Sequence, residues 1–264
     1  METDAIKARV REQFGRTAAG YVTSAGHAGG DDLARLAALA APTADDVALD
    51  IATGGGHTAL AVARAGAGTV IASDFTANML RTARGFIGQS GATASAVQYA
   101  LADAEALPFG NRAFSLVTTR IAPHHFPNPA QYVHEVARVL LPGGRFLLED
   151  SVVPEGAAGD FLNSVEKLRD GSHVRTLTLA EWVALLHDAE FTVESVELFR
   201  KTHELTQWIG RSGANEATVR EAWNAAPVEA RDAFETEHDP ETDTLVSYSD
   251  DKALIYATKP LATY

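Results

Sequence analysis

With 264 residues and 46% apolar side chains, the chain can bury a full core, which excludes global disorder. Its 35 acidic and 22 basic side chains leave a net charge of −13. That charge repels phosphate backbones and anionic lipid, so nucleic acid and membranes are excluded as expected partners. The absence of cysteine excludes disulfides, thiolate metal sites and a cysteine nucleophile, and suits a reducing cytoplasm.

The segment Met1–Gly15 is charged and helix-like and lacks the apolar centre of a secretion signal. No run approaches the ~18 consecutive apolar residues of a membrane span, so a cytoplasmic location is expected. Residues 6–39 read as helices broken near Gly26–Gly30, the second starting at Asp31-Asp32 and ending before Pro42. Strands are predicted at 47–51, 69–73, 97–101, 114–119 and 145–148. Helices are predicted near 60–64, from 78 to 85 and from 129 to 140, the last stopped by Pro142-Gly143-Gly144. Such alternation implies βαβ crossovers and a mostly parallel sheet covered on both faces. Beyond Asp150 a helix is expected at 179–189, a strand at 191–198 and helices across 204–237. Two extended runs, 245–249 and 253–258, are expected near the sheet edge, separated by Asp250-Asp251.

The central motif runs from Asp50 to Thr58 with three consecutive glycines, Gly54-Gly55-Gly56. Here a strand ends, the chain turns and a helix begins; glycine permits positive φ and close approach of a ligand. Gly54, Gly56 and Ala59 also satisfy the weak dinucleotide fingerprint, and Asp74 follows Gly54 by 20 residues, where an acid would hold ribose hydroxyls. Asp50 and Asp103 turn the choice away from a dinucleotide. A carboxylate at the end of the first strand would repel a pyrophosphate but attract a cationic amino group or sulfonium. Asp103, after the third strand, would accept a hydrogen bond from an adenine amino group.

The stretches LDIATGGGHTAL (Leu49–Leu60), SDFTANML (Ser73–Leu80), DAEALPF (Asp103–Phe109), FSLVTTRIAPHHF (Phe114–Phe126) and EVARVLLPGGRFLLED (Glu135–Asp150) occur in this order. Together they resemble class I S-adenosylmethionine (SAM)-dependent methyltransferases, in the small-molecule branch similar to ubiquinone and menaquinone C-methyltransferases. The resemblance implies a Rossmann-like α/β core with a mostly parallel seven-stranded sheet. It implies an N-terminal helical lid over residues 1–41 and a SAM-binding domain over 42–264, with helical cap segments at about 155–175 and 204–237. It further implies that Asp50, Ala52, Gly54 and Gly56 line the methionine half of SAM. Asp74 with Phe75 would take the ribose, Met79 the adenine ring, and Asp103 with Ala104 the adenine amino edge. Arg120 would lie near the methionine carboxylate or the reaction centre, and Tyr21 would close over SAM. Ala52 departs from the family, which usually carries glycine there.

Methyl transfer from a sulfonium needs alignment and exclusion of water, with a general base where the acceptor is a hydroxyl or an acidic carbon. His124 and His125 follow the fourth strand and are the candidates for that base. Adjacent histidines point apart, so no metal site is expected. Arg169, His173 and Arg175, from the expected cap, would anchor a polar or anionic small-molecule acceptor. Two other readings stay open: a SAM-binding fold that uses SAM without methylating, and an NAD-dependent oxidoreductase. The acceptor is not legible, and the oligomeric state, with a homodimer among its options, is open too.

Overall fold

The computed structural model describes residues 2–23, 30–210 and 212–261, with the backbone alone at residues 2, 15–23, 92 and 94. Two helices open it, α1 (Glu2–Thr23) and α2 (Asp31–Ala40). Alternating elements follow: β1 (Val47–Ile51), α3 (His57–Arg64), β2 (Thr69–Asp74), α4 (Ala77–Gly88), β3 (Val97–Leu101), β4 (Phe114–Arg120) and α5 (Pro129–Val139). Then come β5 (Leu140–Val152), α6 (Ala157–Arg169), α7 (Leu179–Asp188) and β6 (Thr192–Glu204). Helices α8 (Leu205–Gly210), α9 (Glu216–Asn224) and α10 (Val228–Ala233) precede β7 (Glu237–His238) and β8 (Leu245–Thr258).

The strand order is β3-β2-β1-β4-β5-β8-β6, with the two-residue β7 added to β8. Strands β3 to β5 pair in parallel, and β8 runs antiparallel between β5 and β6. This is a Rossmann-like, mostly parallel sheet with one antiparallel portion. Strand β1, nearly continuous in apolar side chains, lies in the middle of the parallel part, as burial on both faces requires. One core packs β1, β4 and β5 against α5 and α7, and another packs the opposite face against α2, α3 and α4. A third cluster joins α6, α8, α9 and α10 around Trp208, Trp223 and Tyr248. Trp182, Trp208 and Trp223 are all buried core side chains.

Two expectations need correction. The helix before β5 ends at Val139, and Pro142-Gly143-Gly144 lies inside the strand rather than before it. Gly143 N–H donates to the Lys259 carbonyl and Lys259 N–H to the Gly144 carbonyl, so tertiary pairing overrides the turn-forming composition. The runs around Asp250-Asp251 form one continuous strand, β8, in the interior of the sheet; β6 is the edge. Pairing with β6 keeps the backbone of Asp250 and Asp251 extended, and Asp251 also pairs with Val152 of β5.

Candidate active site

The glycine loop is a compact turn at the carboxyl end of β1. Ala52 and Gly54 both have φ of 53°, and Gly56 has φ of 89° at the N-terminus of α3. A Cβ on Gly56 would sit 2.8 Å from Ile87 Cδ1, so helix packing as well as φ demands glycine there. Asp50 braces the turn from beneath, accepting hydrogen bonds from the hydroxyls of Thr53 (2.6 Å) and Thr118 (2.7 Å). Burial pushes its carboxyl up to about 6, against those hydroxyl donors. Asp74 ties this loop to the next one, accepting from the Gly54 N–H at 3.0 Å and the Thr76 N–H at 2.9 Å. Thr76 in turn caps α4 by accepting from the Met79 N–H at 3.2 Å.

These loops form one wall of a cavity of about 520 Å³. Of the residues expected to hold SAM, Ala52, Gly54, Asp74, Phe75, Met79 and Arg120 line it. Asp50 and Gly56 lie outside that lining: the first is the brace beneath the loop, the second the packed start of α3. Asp103 and Ala104 line a smaller adjoining cleft together with Phe75. Asp103 is bonded there to Lys7 of α1 at 2.6 Å, and Lys7 also meets Glu105 at 2.8 Å. Helix α1 contributes Val10, Gln13 and Phe14 to the main cavity. Arg11 lies over the Phe75 ring at 4.1 Å, and Phe14 meets the edge of His125 at 4.9 Å. Tyr21 is on α1, but its side chain lies outside the described residues, as do Gly26 and Gly29.

Beyond β4 the chain passes through Ile121, a β-branched residue with φ of 52°, held by its N–H to the Glu149 carbonyl at 2.8 Å. A single 3-10 turn, Pro123–His125, then presents the two histidines. His124 and Asp150 form a closed pair: Asp150 accepts the His124 backbone N–H at 2.8 Å and lies 2.7 Å from its Nδ1. Burial alone would lower the His124 pKa, but the Asp150 carboxylate outweighs it and holds the imidazole above its usual 6.5. His125 instead turns its Nδ1 to the Ser172 carbonyl at 3.0 Å. Burial, with His124 beside it, pushes its pKa well down. His173 stacks near His124, ring centroids 5.6 Å apart, and bonds Asn163 Oδ1 through Nε2 at 3.1 Å. Burial likewise drives His173 far below the usual histidine range.

Arg169 lines the cavity, held by Glu166 at 2.8 Å and lying over the Trp208 ring at 4.6 Å. Arg175 lies outside the lining, half-exposed, in an ion pair with Glu181 at 2.6 Å. Arg120 binds Glu149 Oε2 at 3.0 Å and Asp32 Oδ2, on α2, at 2.8 Å. Burial and the adjacent Asp32 push Glu149 up to about 7, against Arg120. Burial would raise Asp32, yet Glu149 and Arg120 keep it well below the carboxylate range.

The far wall escaped sequence reasoning. Ser151 of β5, Lys201 and His203 of β6, and Asp250 and Lys252 of β8 all line the cavity. The available signal was the period of two: Asp250 and Lys252, like Lys201 and His203, stand two residues apart in a strand and so share one face of the sheet. Among the described residues no cluster of three His, Cys, Asp or Glu is placed to hold a metal ion, and no helix is long and apolar enough to cross a membrane.

A methyltransferase-domain family matches residues 49–148. The Bacillus subtilis protein YcgJ, described as an uncharacterized methyltransferase, is 36% identical over 225 residues, covering 84% of this chain and 88% of its own length. A demethylmenaquinone methyltransferase of Clavibacter sepedonicus is 29% identical over 70% of this chain and 73% of its own. The crystal structure of a Bacillus halodurans C-125 protein superposes with a TM-score of 0.82 at 38% identity, over 88% of this chain and all of that one.

Proposed function

The chain belongs to the SAM-dependent methyltransferase family, and from that premise we propose that it methylates a small molecule, with His124 as the proton acceptor. The residues fit the donor. A carboxylate at the cavity wall, Asp74, suits ribose hydroxyls, and the buried Met79 with Phe75 suits an adenine face. The loop 52–55 offers backbone to the remainder. In this reading Asp50 acts through the loop it braces, and Lys7 closes α1 over the cleft at Asp103 that would take the adenine edge. When bound, SAM supplies an activated methyl on a sulfonium with a neutral leaving group.

The observation that carries the proposal is the Asp150–His124 pair opening on the same cavity as the glycine loop. A carboxylate at Nδ1 fixes that nitrogen as the donor and leaves Nε2 as the basic nitrogen. His125 donates from Nδ1 to a backbone carbonyl and is held neutral, a role in shaping the wall. His173 and Arg169 border the acceptor space, while Arg175 serves the α7 entry. An in-line displacement then needs the walls to align acceptor and methyl and to exclude water, which Phe14 and Phe126 assist.

The test is S-adenosylhomocysteine release from SAM across a panel of hydroxylated and acidic-carbon compounds. Acceptor-dependent release that falls about 10²–10⁴-fold in His124→Ala supports the proposal. Full turnover in that variant would remove His124 from the chemistry.

A further inference from the structure

Lys252 sits in the middle of β8, opposite Ser151 of β5 and Phe199 of β6. It is 4% exposed and lines the main cavity. Among the described residues its ammonium has no hydrogen bond or ion pair. The carboxylates around it are committed elsewhere. Asp32 and Glu149 are bound to Arg120, at 2.8 and 3.0 Å, and Asp250 is bound to His203 Nε2 at 2.8 Å. Their fields reach it: the Lys252 ammonium favours the ionised forms of both Asp32 and Glu149. An ammonium at a cavity wall, with three donors and no protein acceptor, is available to a charged partner that enters the cavity.

The carboxylates that line the cavity, Asp74, Glu166, Asp170 and Asp250, are each hydrogen-bonded to other residues of the protein. In a chain of net charge −13, four cationic side chains, Arg120, Arg169, Lys201 and Lys252, line one cavity. Arg120 and Arg169 are each engaged by carboxylates at 3.0 Å or less. Lys252 is the buried one that keeps its full hydrogen-bonding capacity.

We propose that Lys252 is the anchor for an anionic oxygen group on the methyl acceptor, so that the substrate class is a small hydroxylated or carbon-acid organic anion bearing a carboxylate or phosphate. This rests on the proposed methyl transfer in this cavity and names its substrate class. The acceptor would lie between Lys252 on β8 and His124 after β4. The anionic group pairs with the ammonium while the reacting oxygen or carbon faces the imidazole. The neutral form of an acceptor lacking that group would leave Lys252 buried without a counter-charge, which is how the wall would discriminate.

The experiment uses full-length protein saturated with S-adenosylhomocysteine and reads binding by calorimetry at fixed ionic strength. The probes are 4-hydroxybenzoate, its neutral isostere 4-hydroxybenzamide, and inorganic phosphate. We expect an anionic probe to bind and the amide not to. Benzoate over phosphate identifies a carboxylate pocket; phosphate over benzoate identifies a phosphate pocket. Lys252→Gln should weaken the anion at least about tenfold, the loss of one charge-assisted hydrogen bond. Lys252→Arg should retain binding, and both variants should bind S-adenosylhomocysteine like the parent, which reports that they fold. Equal binding of the amide, undiminished anion binding in Lys252→Gln, or no anion binding by a protein that takes up S-adenosylhomocysteine would overturn the inference. Failure to bind S-adenosylhomocysteine at all would instead defeat the methyl-transfer proposal beneath it.

Discussion

His124 and Asp150 give the clearest prediction at the scale of single residues. Asp150 raises the His124 pKa above 6.5, and the base form is the neutral one. The neutral fraction therefore grows as pH rises through that raised value, so kcat should climb along a limb centred above pH 6.5. Asp150→Asn removes that charge and leaves burial opposed only by the fields of Glu166 and Asp170, so the limb should move to lower pH while turnover falls through loss of the fixed tautomer. A limb at the same pH in both proteins would assign the titration to another group. A second residue-scale prediction concerns Ala52, which carries a methyl at φ of 53°. The left-handed region costs an alanine roughly 1 kcal/mol, part of which glycine's greater unfolded-state freedom offsets. Ala52→Gly should therefore raise stability by about a few tenths of a kcal/mol in denaturant titration. A loss of stability would mean that the Ala52 methyl packs better than its backbone is strained.

Among elements, the start of β1 depends on one carboxylate. Asp46 accepts from the Thr43 N–H at 2.7 Å and the Ser115 hydroxyl at 2.7 Å, and pairs with Arg145 of β5. Burial would raise its pKa, but Arg145 and these donors bring it down to about 2. A depressed carboxylate stabilises the fold above its unfolded value near 3.8, and that contribution disappears as pH falls toward 2. Asp46→Asn should cost about 2 kcal/mol at pH 7, and the gap to the parent should close between pH 4 and about 2, as chemical unfolding at several pH values would show. A gap independent of pH would reduce Asp46 to a neutral hydrogen-bond acceptor.

The same elements show what was legible. Strands β1 to β4 were readable because each is a short apolar run bounded by turn chemistry, and the order of acids after them marked one ligand-binding edge. Strands β5 and β8 were readable only in part. Pro142-Gly143-Gly144 and Asp250-Asp251 have the local chemistry of breaks, and only pairing with distant strands keeps them extended. Among site residues, Asp74 and Arg120 fall on the cavity because they end β2 and β4, and Met79 because it lies in the first turn of α4 just after β2. Asp50 does not, because two threonine hydroxyls draw its carboxylate beneath the loop. Lys252 escaped notice because its neighbours across the sheet, Ser151 and Phe199, are 101 and 53 residues away in sequence.

For the whole molecule, the cavity is assembled from parts that are far apart in the chain. Helix α1, the edge of the parallel sheet, the turn after β4, the α6 segment and the β6–β8 pair each supply a wall. Helix α1 is fastened by Lys7 to Asp103 and Glu105 and by contacts of Arg11 with Phe75. In the proposed reading donor and acceptor share this one enclosure, which Asp74 and Lys252 both line. Calorimetric titration of S-adenosylhomocysteine into the parent, Asp74→Ala and His124→Ala proteins tests this arrangement most directly. The account predicts binding by the parent, a loss of about 10–100-fold in Asp74→Ala from one charge-assisted contact, and nearly unchanged affinity in His124→Ala. No binding by the parent, or equal affinity in the folded Asp74→Ala protein, would contradict the placement of the donor in this cavity.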